Sequence, residues 1–193
     1  MLPIPFNTGS LEYYEPKVGD IYGGGYIAYI YQSSDPQYDP YYTNFYVGAY
    51  NPSIYRGIII STASISDSQF NDGGGTQPTA SLNTYNGSTR TNAIYSAYTN
   101  PVLACSRVKS LSTGGYTDWF IPSAYEMQQI VSLTFSRTYM TQSYYWTSDL
   151  TAPSAVYGLA TKSPEGGDIW TVGLGSIYQT LSVKAFRSFT IYT

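Results

Sequence analysis

Apolar and polar residues fall into a readable pattern from about Val18, where Val18-Gly19-Asp20-Ile21-Tyr22 and Tyr26-Ile27-Ala28-Tyr29-Ile30-Tyr31 flank Gly23-Gly24-Gly25. Two strand-like runs around a glycine turn predict a β-hairpin. The triplet is read as a turn or bulge device. A phosphate cradle needs a following helix and the Lys-Ser/Thr of a P-loop, and the sequence supplies neither. Gly57-Ile58-Ile59-Ile60-Ser61 predicts a short buried strand. On either side, 33–55 reads as a long Tyr- and Pro-bearing loop, and 66–88, with Gly73-Gly74-Gly75, as a surface loop. Residues 1–17 hold three prolines and no periodicity, so they predict an extended arm before one domain spanning 18–193.

Helical patterning is confined to the middle of the chain. Thr91 or Asn92 is placed to cap Ala93 to Tyr98, and Asn100 to cap a segment with Pro101 at its first helical position. In that segment Ala104, Cys105, Val108 and Leu111 share one face, which makes Cys105 a core residue. The clearest start is Pro122-Ser123-Ala124-Tyr125-Glu126. Ser123 stands at the N-cap and Glu126 three residues later, the spacing of a capping box, with Met127, Ile130 and Val131 as the buried stripe. Strands are expected again at Tyr145–Ser148, Ala155–Thr161, Ile169–Leu174 and Leu181–Ile191.

Composition changes this picture in several ways. Only 11% of the 193 residues are charged, so solubility rests on Ser, Thr, Asn, Gln and Tyr. The nine Lys and Arg are scattered and the net charge is −3, which excludes a phosphate-tracking surface and makes nucleic acid an unexpected partner. Tyr outnumbers Phe 23 to 7. A buried phenol needs a hydrogen-bond partner, so many of these rings are expected at a surface or interface, with filling of strand positions as the alternative. One cysteine excludes an internal disulfide, and no histidine is present. The opening Met1-Leu2-Pro3-Ile4-Pro5-Phe6 does not read as a secretory leader, and the longest apolar run, around Ile58 to Ile60, is too short to span a bilayer. An extracellular-looking composition on a chain made in the cytoplasm suggests release by lysis, as in a virion.

In order along the chain, several segments resemble the C-type-lectin-like domain found at the carboxyl end of the Legionella collagen-like adhesin and in phage and bacterial surface proteins. The resemblance runs from about residue 18 to 189. Its most specific part is Gly114-Gly115-Tyr116-Thr117-Asp118-Trp119-Phe120-Ile121-Pro122-Ser123-Ala124-Tyr125-Glu126-Met127. This is similar to the family's Gly-Gly-x-x-Asp-Trp-x-Leu-Pro-Ser/Thr-x-x-Glu-Leu, with Ile121 and Met127 replacing Leu. Gly19-Asp20 with the glycine hairpin, Tyr145-Trp146-Thr147-Ser148, and Val183-Lys184-Ala185-Phe186-Arg187 occur in the expected order. The resemblance implies an α+β fold: a small twisted antiparallel sheet, two helices and long loops.

Most of these residues are expected to build structure. Gly114 and Gly115 would end the preceding helix, Trp119 would be buried by the turn into the next, Pro122 would set its start, and Ser123 with Glu126 would satisfy its first donors. Asp118, Glu126 and Arg187 are expected to cross-link that helix to the terminal strand rather than to form an acid/base set. Calcium-dependent sugar binders of the wider fold use Glu-Pro-Asn or Gln-Pro-Asp followed by Trp-Asn-Asp, and this sequence has neither. Asp35, Asp39 and Asp168 show no metal-ligand spacing, so no metal and no cofactor are expected. The formylglycine-generating relatives work through cysteine chemistry, for which Cys105 alone is a poor fit.

Three function classes stay open. The favoured one is a phage virion component, of tail or head fibre or decoration type, that binds a host-surface glycan or protein without catalysis. The second is a structural virion protein that holds neighbouring subunits, and the third a glycan hydrolase, whose chemistry needs only paired carboxylates. Candidate ligand-binding residues are Tyr38, Tyr41 and Tyr42 in the first long loop, and Trp170 and Tyr178 around the segment opened by Ser163-Pro164-Glu165-Gly166-Gly167-Asp168. Expected partners are other virion proteins through the arm, the host surface, and two further copies in a homotrimer; insertion into a membrane is not expected.

Overall fold

The computed structural model describes residues 14–31, 53–70, 86–98, 100–131, 138–140, 144–152, 155–156, 159–162, 170–173 and 179–192. The fold is α+β. Eleven strands are described: β1 Ile21–Tyr22, β2 Gly25–Ile30, β3 Ile54–Ser61, β4 Ile65–Gln69, β5 Tyr144–Trp146, β6 Leu150–Ala152, β7 Ala155–Val156, β8 Leu159–Lys162, β9 Trp170–Gly173, β10 Thr180–Val183 and β11 Phe186–Tyr192. The helices are α1 Gly87–Ala97, the short α2 Ala104–Lys109 and α3 Ala124–Val131. A four-stranded sheet runs β1-β2-β3-β11, a five-stranded sheet β4-β10-β5-β8-β9, and β6 pairs with β7. Among the described pairings only β10 with β5 is parallel.

Strand β3 explains the unbroken Ile58-Ile59-Ile60 run. It lies between β2 and β11, and both of its faces are covered, so no alternation with polar residues is needed. Ile59 joins Ile27, Ile94, Cys105, Val108, Trp119 and Trp146 in one core. Ile58 and Ile60 join Phe120, Met127, Ile130, Tyr145 and Phe186 in the other. Each of these fully buried isoleucines contributes about 1.5–3 kcal/mol relative to exposure. Ala104, Cys105 and Val108 of α2, and Met127 and Ile130 of α3, pack where their periodicity placed them, while the Val131 side chain lies outside the described residues.

The hairpin forms around Gly23 (φ 58°) and Gly24 (φ 85°), left-handed conformations that favour glycine. A second glycine turn meets it: a Cβ on Gly24 would collide with the backbone of Thr113, and a Cβ on Gly114 with that of Gly24. Gly114 and Gly115 therefore do not end a helix. Helix α2 stops at Ser110 in an ordinary right-handed conformation, and the glycine pair instead lets the Thr113–Tyr116 turn lie backbone to backbone against the hairpin.

Several expected boundaries move. The 66–88 stretch is not wholly loop, because β4 spans Ile65–Gln69 and pairs with β10. Helix α1 begins at Gly87, with Asn86 as N-cap accepting from Thr89 N–H at 2.9 Å, so neither Thr91 nor Asn92 caps it. Leu103, not Asn100, precedes α2; the Asn100 side chain accepts instead from Val102 N–H at 3.1 Å. The expected 155–161 strand is two strands, and the expected 181–191 strand breaks at Lys184-Ala185 between β10 and β11. Ahead of Val18, Pro16 is buried, and Tyr14 donates to Asp20 at 3.0 Å while its ring stacks on Tyr22. The base of the arm is thus fastened to the hairpin.

Candidate binding groove

The motif residues build a buried polar junction. Glu126 Oε2 accepts from Ser123 N–H at 2.8 Å and Ser123 Oγ from Glu126 N–H at 3.1 Å, which closes the capping box. The same oxygen also accepts from Gly87 N–H at 3.2 Å, so one carboxylate serves the N-termini of both α3 and α1. Gly87 is required there, since a Cβ would strike Glu126, Ile121 and Ser123. Beside it Arg90 pairs with Asp149 at 3.2 Å, and Asp149 accepts from Ala124 N–H. Burial pushes the Asp149 carboxyl above its ordinary range, while Arg90 and the Ala124 amide pull it back. Thr91 bonds both the N–H and the C=O of Ile121, at 2.9 and 3.2 Å. These pairings tie the start of α1 to the start of α3 and to the Ser148-Asp149 segment.

Glu126 thus links the start of α3 to the start of α1. Asp118 and Arg187 do meet, at 2.5 Å, with the Arg187 guanidinium 3.6 Å from the centre of the Tyr116 ring, so this pair ties the α3 approach to β11. Trp119 is fully buried and donates to Tyr116 C=O at 2.9 Å. Pro122 is buried, and its carbonyl accepts from Ser148 N–H at 2.7 Å. Trp146 is buried edge-on to Phe70 and donates to Ser68 C=O at 2.7 Å.

Of the residues expected to bind ligand, Tyr38, Tyr41, Tyr42 and Tyr178 lie outside the described residues, as does the Trp170 side chain. The Trp170 backbone stands in β9 opposite Lys162, within the strand expected at Ile169–Leu174.

Among the described residues, an opening with the chemistry of a binding site lies where the chain twice crosses between the two larger sheets. Thr62, Ala63 and Ser64 carry it from β3 to β4, and Lys184-Ala185 from β10 to β11. Strands of different sheets diverge at such crossings. The gap left is a groove of about 390 Å³, within the ~300–1,000 Å³ usual for small-ligand sites. Its lining is mostly hydroxyl and backbone, with Tyr26 and Tyr139 in ring contact at 4.2 Å and 32°. Ser182 Oγ donates to Asp67 Oδ1 at 2.8 Å, which fixes that carboxylate on the wall. Lys184 is half-buried on the same lining, with no carboxylate within ion-pair distance among the described residues. Burial pushes its ammonium below the usual lysine value. The residues of the groove come from five separate segments with no shared spacing, so the sequence gives no sign of it; Tyr26 reads there as part of a strand, and Lys184 as part of a strand and of the Val183–Arg187 motif.

Among the described residues no group of three or more His, Cys, Asp or Glu side chains is placed to hold a metal ion, and no helix is long and apolar enough to cross a membrane. No protein-family model matches the chain, and no curated protein or solved structure matches it either.

Proposed function

We propose that this chain is a surface-recognition module with a C-type-lectin-like fold, carried by a particle such as a phage virion, and that it binds a glycan in the groove between its two larger sheets. One observation carries the reading: a ligand-sized polar opening that combines hydroxyls, a Tyr26–Tyr139 ring pair, a fixed carboxylate and a cation with no carboxylate partner among the described residues. Aromatic faces stack on the apolar faces of sugar rings, and hydroxyls and carboxylates exchange hydrogen bonds with sugar hydroxyls. The finer fold assignment is supported by the order of elements and by the Gly114–Met127 segment, in which a glycine turn, a buried Trp119 and a closed capping box follow one another. The test replaces Tyr139 and Tyr26 singly by Ala, verifies folding by circular dichroism, and measures adsorption of the chain to host cells and to immobilised glycans. Loss of about tenfold or more in affinity is expected for a true anchor; unchanged adsorption in both variants refutes the groove as the site.

A second reading, that the chain holds neighbouring subunits, is favoured by Ile21 and Tyr192, which stand 72% and 76% exposed on the two edge strands of the four-stranded sheet. It expects a trimer in sedimentation that Ile21→Ser with Tyr192→Ser dissociates. A monomer at micromolar concentration refutes it.

A further inference from the structure

Resting on the glycan reading, we infer that the groove selects an acidic saccharide, its carboxylate pairing with Lys184 while the sugar ring lies against the Tyr26–Tyr139 pair. Lys184 is one of the two residues that bridge β10 and β11, so its backbone is held from both sides: Ser182 pairs with Tyr145, and Ala185 C=O accepts from Ser61 N–H at 2.9 Å. A lysine on so fixed a stem is a poor solvated tether and a good fixed charge.

Its surroundings supply the second step. Desolvation raises the free energy of an ammonium, and among the described residues no carboxylate offsets that cost. An incoming anion therefore gains more here than at an exposed lysine, because the attraction acts at lower effective dielectric. The carboxylate already in the groove, Asp67, belongs to the opposite role. Its Oδ1 is engaged by Ser182, and it faces the opening as an acceptor for sugar hydroxyls. A ligand carrying one carboxylate and several hydroxyls satisfies both walls. A neutral sugar leaves Lys184 without a counter-charge, and a small bare anion leaves Asp67 and the tyrosine pair unused. The chain's net charge of −3 gives no long-range pull on anions, so the selectivity is local to the groove and survives physiological salt.

The experiment titrates the full chain by NMR with glucuronic, galacturonic and N-acetylneuraminic acids, with glucose, galactose and N-acetylglucosamine as neutral counterparts, and with acetate as the bare carboxylate. At least one acidic sugar should bind tenfold or more tightly than its neutral counterparts and than acetate. Lys184→Gln should remove that preference by ten- to hundredfold, and Lys184→Arg should retain most of it. Binding should also raise the Lys184 titration midpoint, since an anion favours the charged ammonium, and a merely structural lysine would not respond. Equal binding of acidic and neutral sugars, both lost in Tyr139→Ala and both kept in Lys184→Gln, overturns the acidic selectivity and leaves the glycan reading standing. Acetate binding as tightly as the acidic sugars overturns the saccharide assignment. If no sugar of either set binds, the glycan reading falls and the inference with it.

Discussion

Replacing Glu126 by alanine removes one acceptor from two helices at once. In the native chain Oε2 takes the N–H of Ser123 at 2.8 Å and that of Gly87 at 3.2 Å, and the side chain is fully buried. Each hydrogen bond to a buried charged group contributes about 1.5–3 kcal/mol, so losing both costs roughly 3–6 kcal/mol, with the smaller figure applying if water enters the space. Ser123→Ala, by contrast, removes only the bond accepted from Glu126 N–H and should cost about 1 kcal/mol, the usual loss for an N-cap. Glu126→Gln keeps an oxygen acceptor and loses the charge that faces two helix N-termini, which places it between the others at about 1–2 kcal/mol. Urea unfolding followed by the fluorescence of buried Trp119 and Trp146, with circular dichroism as the second probe, gives all three values. In a thermal scan Glu126→Ala should melt about 6–24 °C lower than the native chain, on a scale of ~2–4 °C per kcal/mol for this size. The reasoning is refuted if Glu126→Ala costs no more than Ser123→Ala at equal denaturant slope, because the bond to α1 would then contribute nothing.

Arg90→Met leaves the Asp149 carboxylate buried without its cation and should destabilise by about 3–5 kcal/mol at neutral pH. Removing the cation moves an already raised carboxyl further up, so the folded variant favours its protonated form; the deficit should be full above the variant's folded pKa and should shrink as pH falls from there to the native chain's own raised value. A deficit independent of pH between 4 and 7 would contradict this. Cys105 is buried with its thiol pushed up to about 11, so at pH 8 a disulfide reagent should label it roughly a hundredfold or more slowly than in urea, at a rate set by opening of the fold. Prompt labelling in native buffer would show that α2 is not packed as described.

The capping box was legible because its chemistry is local: Ser123 and Glu126 answer each other within one turn. The hairpin and the Ile58–Ile60 strand were legible for the same reason. Helix α1 was not. Its buried positions, Gly87, Arg90, Thr91 and Ile94, follow helical spacing, but only Ile94 is apolar, and Asn86-Gly87 reads as a turn. The partners that make burial of Arg90 and Thr91 tolerable, Asp149 and Ile121, lie far along the chain. Strand β4 was hidden likewise, since Ile65-Ser66-Asp67-Ser68-Gln69 has one apolar residue and becomes a strand through pairing with β10. The groove needed both sheets in place before any of its residues shared a neighbourhood.

The pairing of β3 with β11 and of β4 with β10 also fixes when this protein can fold as it is made. Both sheets wait for residues 180–192: until these are synthesised β4 lacks its described partner and β3 keeps an open edge. Translation runs at ~5–20 residues per second and the wait spans about 120 residues, so Ile58-Ile59-Ile60 stands beside an unpaired edge on the nascent chain for on the order of ten seconds. An apolar β-branched run on an open edge is the form in which neighbouring nascent chains pair with each other. On a crowded polysome, shielding that interval therefore bears on how much of the chain reaches the folded state.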